Sequence, residues 1–272
     1  MLSRAIPSSG EAIPVIGLGT WQTFDVGNDP ARRAPLLDVL RTFAERGGRV
    51  VDTSPMYGNA ERVLGDLFDA SGLRPSLFVA TKVWTSGRSE GIRQMESSLQ
   101  KLRTEAVDLM QVHNLVDVET HLATLEGWKA AGRVRYVGIT HYTASAHEAL
   151  ARLVASRPLD FIQVNYSVGE PEAARRLLPL AQEHGVAVLV NRPFGGGGLL
   201  RRLGSRPLPD LAAELGCRTW GQLLLKFVVS HPAVTCAIPA TSQVAHLEEN
   251  LAAGDGPLPT EQQRALIVNA AR

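Results

Sequence analysis

Cysteine is scarce in this chain, and an excess of charge of one sign and a long apolar run are both lacking. The two cysteines, Cys217 and Cys236, are too few for a disulfide framework and lack the spacing of a metal site. Lysine and arginine total 28 against 27 aspartates and glutamates, and no basic cluster stands beside aromatic residues, which excludes a typical nucleic-acid binder. No stretch approaches the ~18 apolar residues of a membrane span, and the N-terminus lacks a signal-peptide core. We therefore expect a cytoplasmic protein with neither a membrane nor a nucleic-acid partner.

What the chain does contain is enough apolar material for one large core. Hydrophobic residues make up 44% of the sequence and charged residues 20%, which excludes a disordered chain. Barrels of alternating strands and helices reach ~250 residues as one unit, and no change of composition marks a linker. Residues 1–272 are therefore predicted to form one domain, which we expect to act as a monomer.

Apolar residues alternate along the chain between short continuous runs and helical spacing. The first run is 15–20, and others lie near residues 50, 77, 107, 136, 161, 187 and 236. Because these runs show no polar alternation, they are predicted to be parallel strands buried on both faces. Helices are predicted at 31–47, from about 60, at 90–102, 118–131 and 170–184, from about 220 and 244, and from 260.

Eight such strand and helix units predict a closed (β/α)8 barrel, the TIM-barrel fold. An open, doubly wound sheet is the alternative, although no glycine-rich dinucleotide motif follows the first strand. Residues 4–14 are expected to form a short hairpin that closes the bottom of the barrel. The connection between the seventh and eighth strands is longer than the others and contains four glycines at 195–198.

Four polar side chains stand at or just after the carboxyl ends of predicted strands, where barrels build their active sites. These are Asp52, Tyr57, Lys82 and His113. A lysine within an apolar strand loses hydration, so a carboxylate partner is expected, and Asp52 lies at an equivalent depth. An ammonium near Tyr57 would lower the pKa of the phenol from ~10 and improve it as a proton donor.

Simpler roles for these residues stay open at this point. Taken alone, Asp52 could be a turn residue and His113 a hydrogen-bonded structural histidine. A metal would also explain His113, but the other histidines are scattered without ligand spacing, so no metal is predicted.

The order of the motifs resembles the aldo-keto reductase family. The matching segments, which span nearly the whole chain, are GLGTW (17–21), DTSPMYGNAE (52–61), ATKVW (80–84), DLMQVHN (108–114), DFIQVNYS (160–167), IPATS (238–242) and EEN (248–250). The resemblance implies that Asp52, Tyr57, Lys82 and His113 are a catalytic tetrad. It further implies a reductase that transfers hydride from NADPH, with NADH possible, to small aldehydes or ketones, with Tyr57 as the general acid.

The resemblance also implies where the two small molecules bind. Cofactor contacts are expected from Thr20, Trp21, Asp52, Thr140, His141, Gln163, Asn191, Arg192, Pro193, Phe194, Gly195, Gly196, Ile238, Pro239, Ala240, Thr241, Ser242, His246, Glu249 and Asn250. Substrate contacts are expected from Trp21, Tyr57, Trp84 and His113.

Several of these positions depart from the family pattern. His141 stands where an asparagine is usual, so its tautomer decides whether it can hold a carboxamide. Asn191 stands where many relatives have a tyrosine that stacks on the nicotinamide. Ala240 and His246 replace a lysine and an arginine that contact the 2'-phosphate in NADPH-specific relatives. We expect a modest NADPH preference, carried partly by protonated His246, with NADH use or no discrimination as the alternative.

Two other functions fit the same residues. One is a regulatory barrel that senses the cofactor without turnover, and the other is a lyase that forms a Schiff base at Lys82.

Overall fold

Two sheets make up the strand framework of the protein. The computed structural model describes residues 1–272. The chain opens with an antiparallel hairpin, β1 (Ser3–Ala5) and β2 (Ala12–Pro14). Eight parallel strands then lie side by side in chain order: β3 (Leu18–Gly19), β4 (Val50–Asp52), β5 (Phe78–Val83), β6 (Val107–His113), β7 (Val134–Thr140), β8 (Phe161–Asn165), β9 (Ala187–Asn191) and β10 (Cys236–Ala237).

The first and last strands of the large sheet meet and close the barrel. The Gly17 amide donates to the carbonyl of Ala237 at 2.8 Å, and the Gly19 amide donates to the carbonyl of Pro239 at 3.0 Å. A Cβ at Gly19 would lie 2.7 Å from the Ile238 carbonyl oxygen, so glycine is needed for this close approach. The predicted (β/α)8 barrel is confirmed, and the open-sheet alternative is wrong.

Helices cover the outside of the barrel. They are α1 (Pro30–Glu45), α2 (Ala60–Ser71), α3 (Arg88–Lys101), α4 (Val118–Ala130), α5 (His147–Ser156), α6 (Leu177–Glu183), α7 (Gly198–Leu203), α8 (Leu211–Glu214), α9 (Trp220–Val229), α10 (Val244–Ala252) and α11 (Glu261–Ala270). Short 3-10 helices occupy Arg74–Ser76, Ala144–Ala146 and Glu172–Arg175. None of the helices has the length and apolar character needed to cross a membrane.

One predicted helix is much shorter in the structure. The sequence pattern predicted a helix over 170–184, but α6 begins only at Leu177. A 3-10 helix precedes it, and Arg176 between them has φ −144° and ψ −50°, which is not helical. The helical spacing of apolar residues therefore continued across a break in the backbone.

The hairpin closes the lower end of the barrel, as the sequence predicted. Ile6 and Ile13 are fully buried and pack into the interior of the barrel with aromatic residues of the strands, among them Phe78 and Tyr136. The Tyr136 hydroxyl donates to Ser9 Oγ at 2.7 Å in the hairpin turn. With the bottom filled by side chains, the opposite end of the barrel is left to carry the site.

Candidate active site

An ion pair joins the ends of two neighbouring strands. Asp52 is the last residue of β4, and Lys82 lies in β5 with none of its surface exposed. Lys82 Nζ donates to Asp52 Oδ2 at 2.6 Å and to the carbonyl of Thr53 at 2.7 Å. Burial disfavours the ammonium, but Asp52 and Tyr57 more than offset it, so the pKa of Lys82 is raised and the side chain stays charged.

The loop after β4 places Tyr57 over this pair. The Tyr57 amide donates to the carbonyl of Ser54 at 3.0 Å, and Gly58 turns the chain with φ +59°. Asp25 fixes the next residue, since its Oδ1 accepts from the Asn59 backbone amide at 2.9 Å and from Asn59 Nδ2 at 3.0 Å. These contacts hold the start of α2 and the tyrosine in front of it.

Tyr57 remains a protonated phenol at neutral pH. Lys82 Nζ lies 4.9 Å from the centroid of its ring. Burial raises the pKa of Tyr57 above the ordinary value of a phenol, and the charge of Lys82 offsets only part of this rise. The expectation of a lowered pKa is therefore wrong in its net sign, because burial outweighs the ammonium.

His113, the last residue of β6, is neutral and is oriented by a serine. Burial, followed by the charge of Lys82 and by His141, lowers the pKa of His113 to about 2. Its Nδ1 lies 3.1 Å from Ser54 Oγ, and that hydroxyl already accepts from the Met56 amide at 3.3 Å. A hydroxyl that donates to Nδ1 leaves the imidazole proton on Nε2, and Ser54 is placed to donate in this way. Sequence reasoning missed Ser54.

Two side-chain amides donate to Asp52, and a third contacts one of them. Gln163 Nε2 donates to Asp52 Oδ1 at 2.8 Å, and Gln111 Nε2 donates to the same oxygen at 3.2 Å. Asn191 Nδ2 donates to the carbonyl of His141 at 3.2 Å and lies 3.4 Å from Gln163 Oε1. Gln111 is fully buried and was given no role from the sequence.

A cavity of about 1240 Å³ opens above these residues at the carboxyl ends of the strands. Asp52, Tyr57 and His113 line it, whereas Lys82 lies behind them. The other predicted residues that line it are Thr20, Trp21, Trp84, Thr140, Gln163, Asn191, Arg192, Pro193, Phe194, Gly196, Ile238, Pro239, Ala240, Thr241, His246, Glu249 and Asn250. The structure therefore brings most of the predicted set together around one space.

His141, Gly195 and Ser242 are absent from the cavity wall. His141 Nδ1 accepts the backbone amides of Tyr142 at 3.0 Å and Thr143 at 3.3 Å, so its imidazole proton lies on Nε2. The Nδ1 atom of His141 is therefore used within its own turn.

Two groups of cavity residues were not found from the sequence. In β3 and the loops after β3, β4, β6 and β7 they are Gly19, Gln22, Thr23, Met56, Asn114 and Tyr142, and in the long connection after β9 they are Gly197, Leu200, Gly204, Arg206, Leu208, Arg218, Thr219, Trp220 and Gly221. The unusual length of this connection and the arginines in it were the available signal. Periodicity, on which the prediction rested, indicates buried faces and says little about loops.

The ion pair, phenol and imidazole at one end of a long cavity can be compared with known proteins. The aldo/keto reductase family model matches residues 15–267. The chain belongs to the aldo-keto reductase family. It is 31% identical over 260 residues to methylglyoxal reductase YeaE of Escherichia coli strain K12, which covers 93% of this chain and 89% of that protein.

Two solved structures from Klebsiella pneumoniae are also similar to it. An aldo/keto reductase in complex with NADP and acetate is 30% identical, with a TM-score of 0.81 and coverage of 96% of this chain and 93% of that one. An aldo-keto reductase in complex with NADPH is 28% identical, with a TM-score of 0.83 and coverage of 100% and 96%.

Proposed function

We propose that this protein is an NADPH-dependent carbonyl reductase acting on small aldehydes or ketones. The observation that carries the proposal is a protonated Tyr57 that lies between the buried Lys82–Asp52 ion pair and a neutral His113, at the wall of a cavity of about 1240 Å³. A phenol held protonated next to a fixed positive charge is suited to give its proton to a developing alkoxide.

Each tetrad residue has a distinct task in this proposal. Tyr57 donates the proton to the carbonyl oxygen. Lys82 stabilises the phenolate that this donation leaves, and Asp52 keeps Lys82 in place and charged. His113 donates a hydrogen bond from Nε2 to the same carbonyl oxygen and so orients the substrate.

The cavity suits a nicotinamide dinucleotide. When bound, that cofactor supplies the hydride that no protein side chain can supply. Thr140, Gln163 and Asn191 would hold its carboxamide, and Arg192 would neutralise its pyrophosphate. Asn191 Oδ1 and Arg192 Nε are both buried without a hydrogen-bond partner, as expected for groups that await a polar ligand.

The remainder of the cavity wall suits the adenosine end. Thr241, His246, Glu249 and Asn250 line it, and Arg206 and Arg218 face it from the long connection. His141, Gly195 and Ser242 do not line the cavity, and His141 is proposed to contribute indirectly, because its carbonyl accepts from Asn191 Nδ2 at 3.2 Å.

Four large apolar side chains surround the substrate end. Trp21, Met56, Trp84 and Tyr142 line the cavity while remaining 40–48% exposed. None of these four side chains carries a charge, although Arg192 lies 5.9 Å from the centroid of the Tyr142 ring. The mouth therefore favours small uncharged carbonyl compounds. Methylglyoxal, the substrate named for the Escherichia coli relative, is of this kind.

We further propose that residues 1–272 work as one domain, as a monomer in the cytoplasm. The support for this proposal is the continuous barrel, the balanced charge and the two unpaired, buried cysteines.

The structure disfavours a Schiff base at Lys82. That chemistry needs a neutral, accessible amine, whereas Lys82 is fully buried and ion-paired, with a raised pKa.

NADPH oxidation against methylglyoxal and a panel of aldehydes and ketones tests the function, with Tyr57→Phe as the diagnostic variant. Removing the hydroxyl and keeping the ring should lower turnover by ~100-fold or more, the scale expected for a positioned general acid. NADPH affinity, measured by fluorescence titration, should be retained. Undiminished turnover in Tyr57→Phe would rule out the acid assignment. A protein that binds NADPH but reduces nothing would instead be the regulatory barrel.

A further inference from the structure

The amide of Gln163 has only one possible orientation. Asp52, held as a carboxylate by Lys82, can only accept hydrogen bonds, so the Gln163 atom 2.8 Å from Asp52 Oδ1 must be nitrogen. The second hydrogen of Gln163 Nε2 goes to Gln111 Oε1 at 3.2 Å. Both donors of Gln163 are therefore used inside the protein, and only its oxygen can serve a ligand.

The same argument fixes the orientation of the Gln111 amide. Its Nε2 faces Asp52 Oδ1 at 3.2 Å, which turns its Oε1 toward Gln163. The neighbouring strand leaves room for its side chain, since a Cβ at Gly138 would come within 3.3 Å of Gln111 Cγ. Gln111 is thus a fixed acceptor at the back of Gln163, away from the cavity wall.

Asn191 presents a second oxygen beside the first. Its Nδ2 faces two acceptors, the carbonyl of His141 at 3.2 Å and Gln163 Oε1 at 3.4 Å, so both of its donors also have partners. Its Oδ1 is buried without a partner, and the residue lines the cavity. Two amide oxygens with spare acceptor capacity, Gln163 Oε1 and Asn191 Oδ1, therefore belong to side chains that contact each other.

We propose that Gln111 is a positioning residue that, through Gln163, sets a paired acceptor for the NH₂ group of the nicotinamide carboxamide. A primary amide offers two N–H donors on one nitrogen, which matches two neighbouring oxygens. Asn191 supplies one oxygen of this pair. Asparagine cannot stack on the nicotinamide ring as a tyrosine at this position would, but it can bind the carboxamide that the ring carries. This inference rests on the proposed function, because it assumes that nicotinamide lies at this end of the cavity.

Binding of two cofactors separates this role from a merely structural one. NADPH and its reduced 3-acetylpyridine analogue differ only in that a methyl group replaces the NH₂. Their dissociation constants are measured by titration calorimetry for the unaltered protein, Gln111→Met, Gln163→Met and the double variant. The ratio of the two constants is the readout, since general loosening of the site weakens both cofactors alike.

The unaltered protein should bind NADPH about tenfold more tightly than the analogue, the effect of two lost hydrogen bonds of ordinary strength. Gln111→Met should reduce this ratio to less than about threefold. Gln163 keeps its nitrogen toward Asp52 but loses the second acceptor that fixes the plane of its amide, so its oxygen is no longer held in place for the ligand. The double variant should show no further loss than Gln163→Met, since the two residues act through one amide.

Two further variants serve as controls for Gln111→Met. Met110→Leu, on the same strand but facing the outer core, should keep the ratio. Gln111→Glu at pH 6 should also keep it, because a carboxyl beside Asp52 is held protonated and still offers one donor and one acceptor. A ratio in Gln111→Met within twofold of the unaltered protein would overturn the inference while leaving the proposed function intact. Failure of the unaltered protein to bind NADPH would overturn both.

Discussion

At the scale of single residues, the tetrad depends on a charge pair that the protein can keep buried only as a pair. Lys82 and Asp52 are 0% and 2% exposed, so neither can be solvated if the other is removed. Removing one member of a buried pair is far more costly than replacing both by neutral groups.

Lys82→Met should therefore lower the free energy of unfolding by about 3–5 kcal/mol, since it leaves the Asp52 carboxylate uncompensated. Adding Asp52→Asn should recover part of that loss. Urea unfolding of both variants beside the unaltered protein measures the difference. A double variant less stable than Lys82→Met would show that the Asp52 carboxylate has other essential partners, with Gln111 and Gln163 the first candidates.

His246 is the residue to test for discrimination between NADPH and NADH. It is exposed at the cavity wall beside Ala240, at the end proposed for adenosine. A 2'-phosphate nearby should recruit a proton to the imidazole, so NADPH affinity relative to NADH should weaken as pH rises from about 6 to about 8.5. His246→Arg should strengthen NADPH binding and flatten this dependence, and His246→Ala should weaken it.

Fluorescence titration of both cofactors over that range gives the ratio of affinities, with NADH as the internal control. A ratio that does not change with pH would remove His246 from phosphate recognition. Arg206 and Arg218, whose charge is constant and which also line the cavity, would then be the groups to replace.

At the scale of elements, the hairpin serves the barrel through packing. Ile13 in β2 and Ile6 after β1 are fully buried inside the lower end of the barrel, whereas the tetrad is at the opposite end. Ile13→Ala should cost about 2–5 kcal/mol of unfolding free energy by leaving a cavity. Because the strand ends are far from the lost methyl groups, kcat/KM at a permissive temperature should stay within about twofold. Thermal melts and steady-state assays check both statements, and a large loss of activity without loss of stability would contradict the packing role.

The site residues that could be predicted from the sequence are those at the ends of strands. Asp52, Lys82 and His113 lie at strand ends, and parallel register brings such ends together whatever the loops do. Ser54, Gln111 and the residues after β9 could not be assigned in the same way. Their roles depend on the direction of a hydroxyl or an amide and on the path of a long connection, which one-dimensional periodicity does not describe.

The bounds of the helices could also be predicted only in part. α4 was predicted to within one residue at each end, and Thr260 was found as the start of α11, whose first turn it caps. The helix predicted over 170–184 failed at Arg176, where a non-helical backbone interrupts a pattern that remains amphipathic on both sides. A break of this kind leaves no mark in the spacing of apolar residues.

At the scale of the whole molecule, a buried neutral histidine makes folding sensitive to mild acid. The folded protein holds the pKa of His113 at about 2, against about 6.5 for an unfolded chain. Below pH 6.5 the unfolded chain therefore binds a proton that the folded protein refuses, and stability falls as pH falls. The unaltered protein should lose about 2 kcal/mol more than His113→Gln between pH 7 and pH 5. Urea unfolding at both pH values measures this, and equal losses would mean that the histidine can be solvated in place.

Gly17 and Gly19 form the seam at which the first and last strands of the barrel meet, and this seam has a consequence for synthesis on the ribosome. The bonds from Gly17 to Ala237 and from Gly19 to Pro239 join segments made at opposite ends of translation. A nascent chain therefore carries two unpaired sheet edges, β3 and β9, until β10 leaves the exit tunnel. We expect arrested chains that end before β10 to be sensitive to protease and to engage chaperones, and the completed chain to lose both properties once the seam forms.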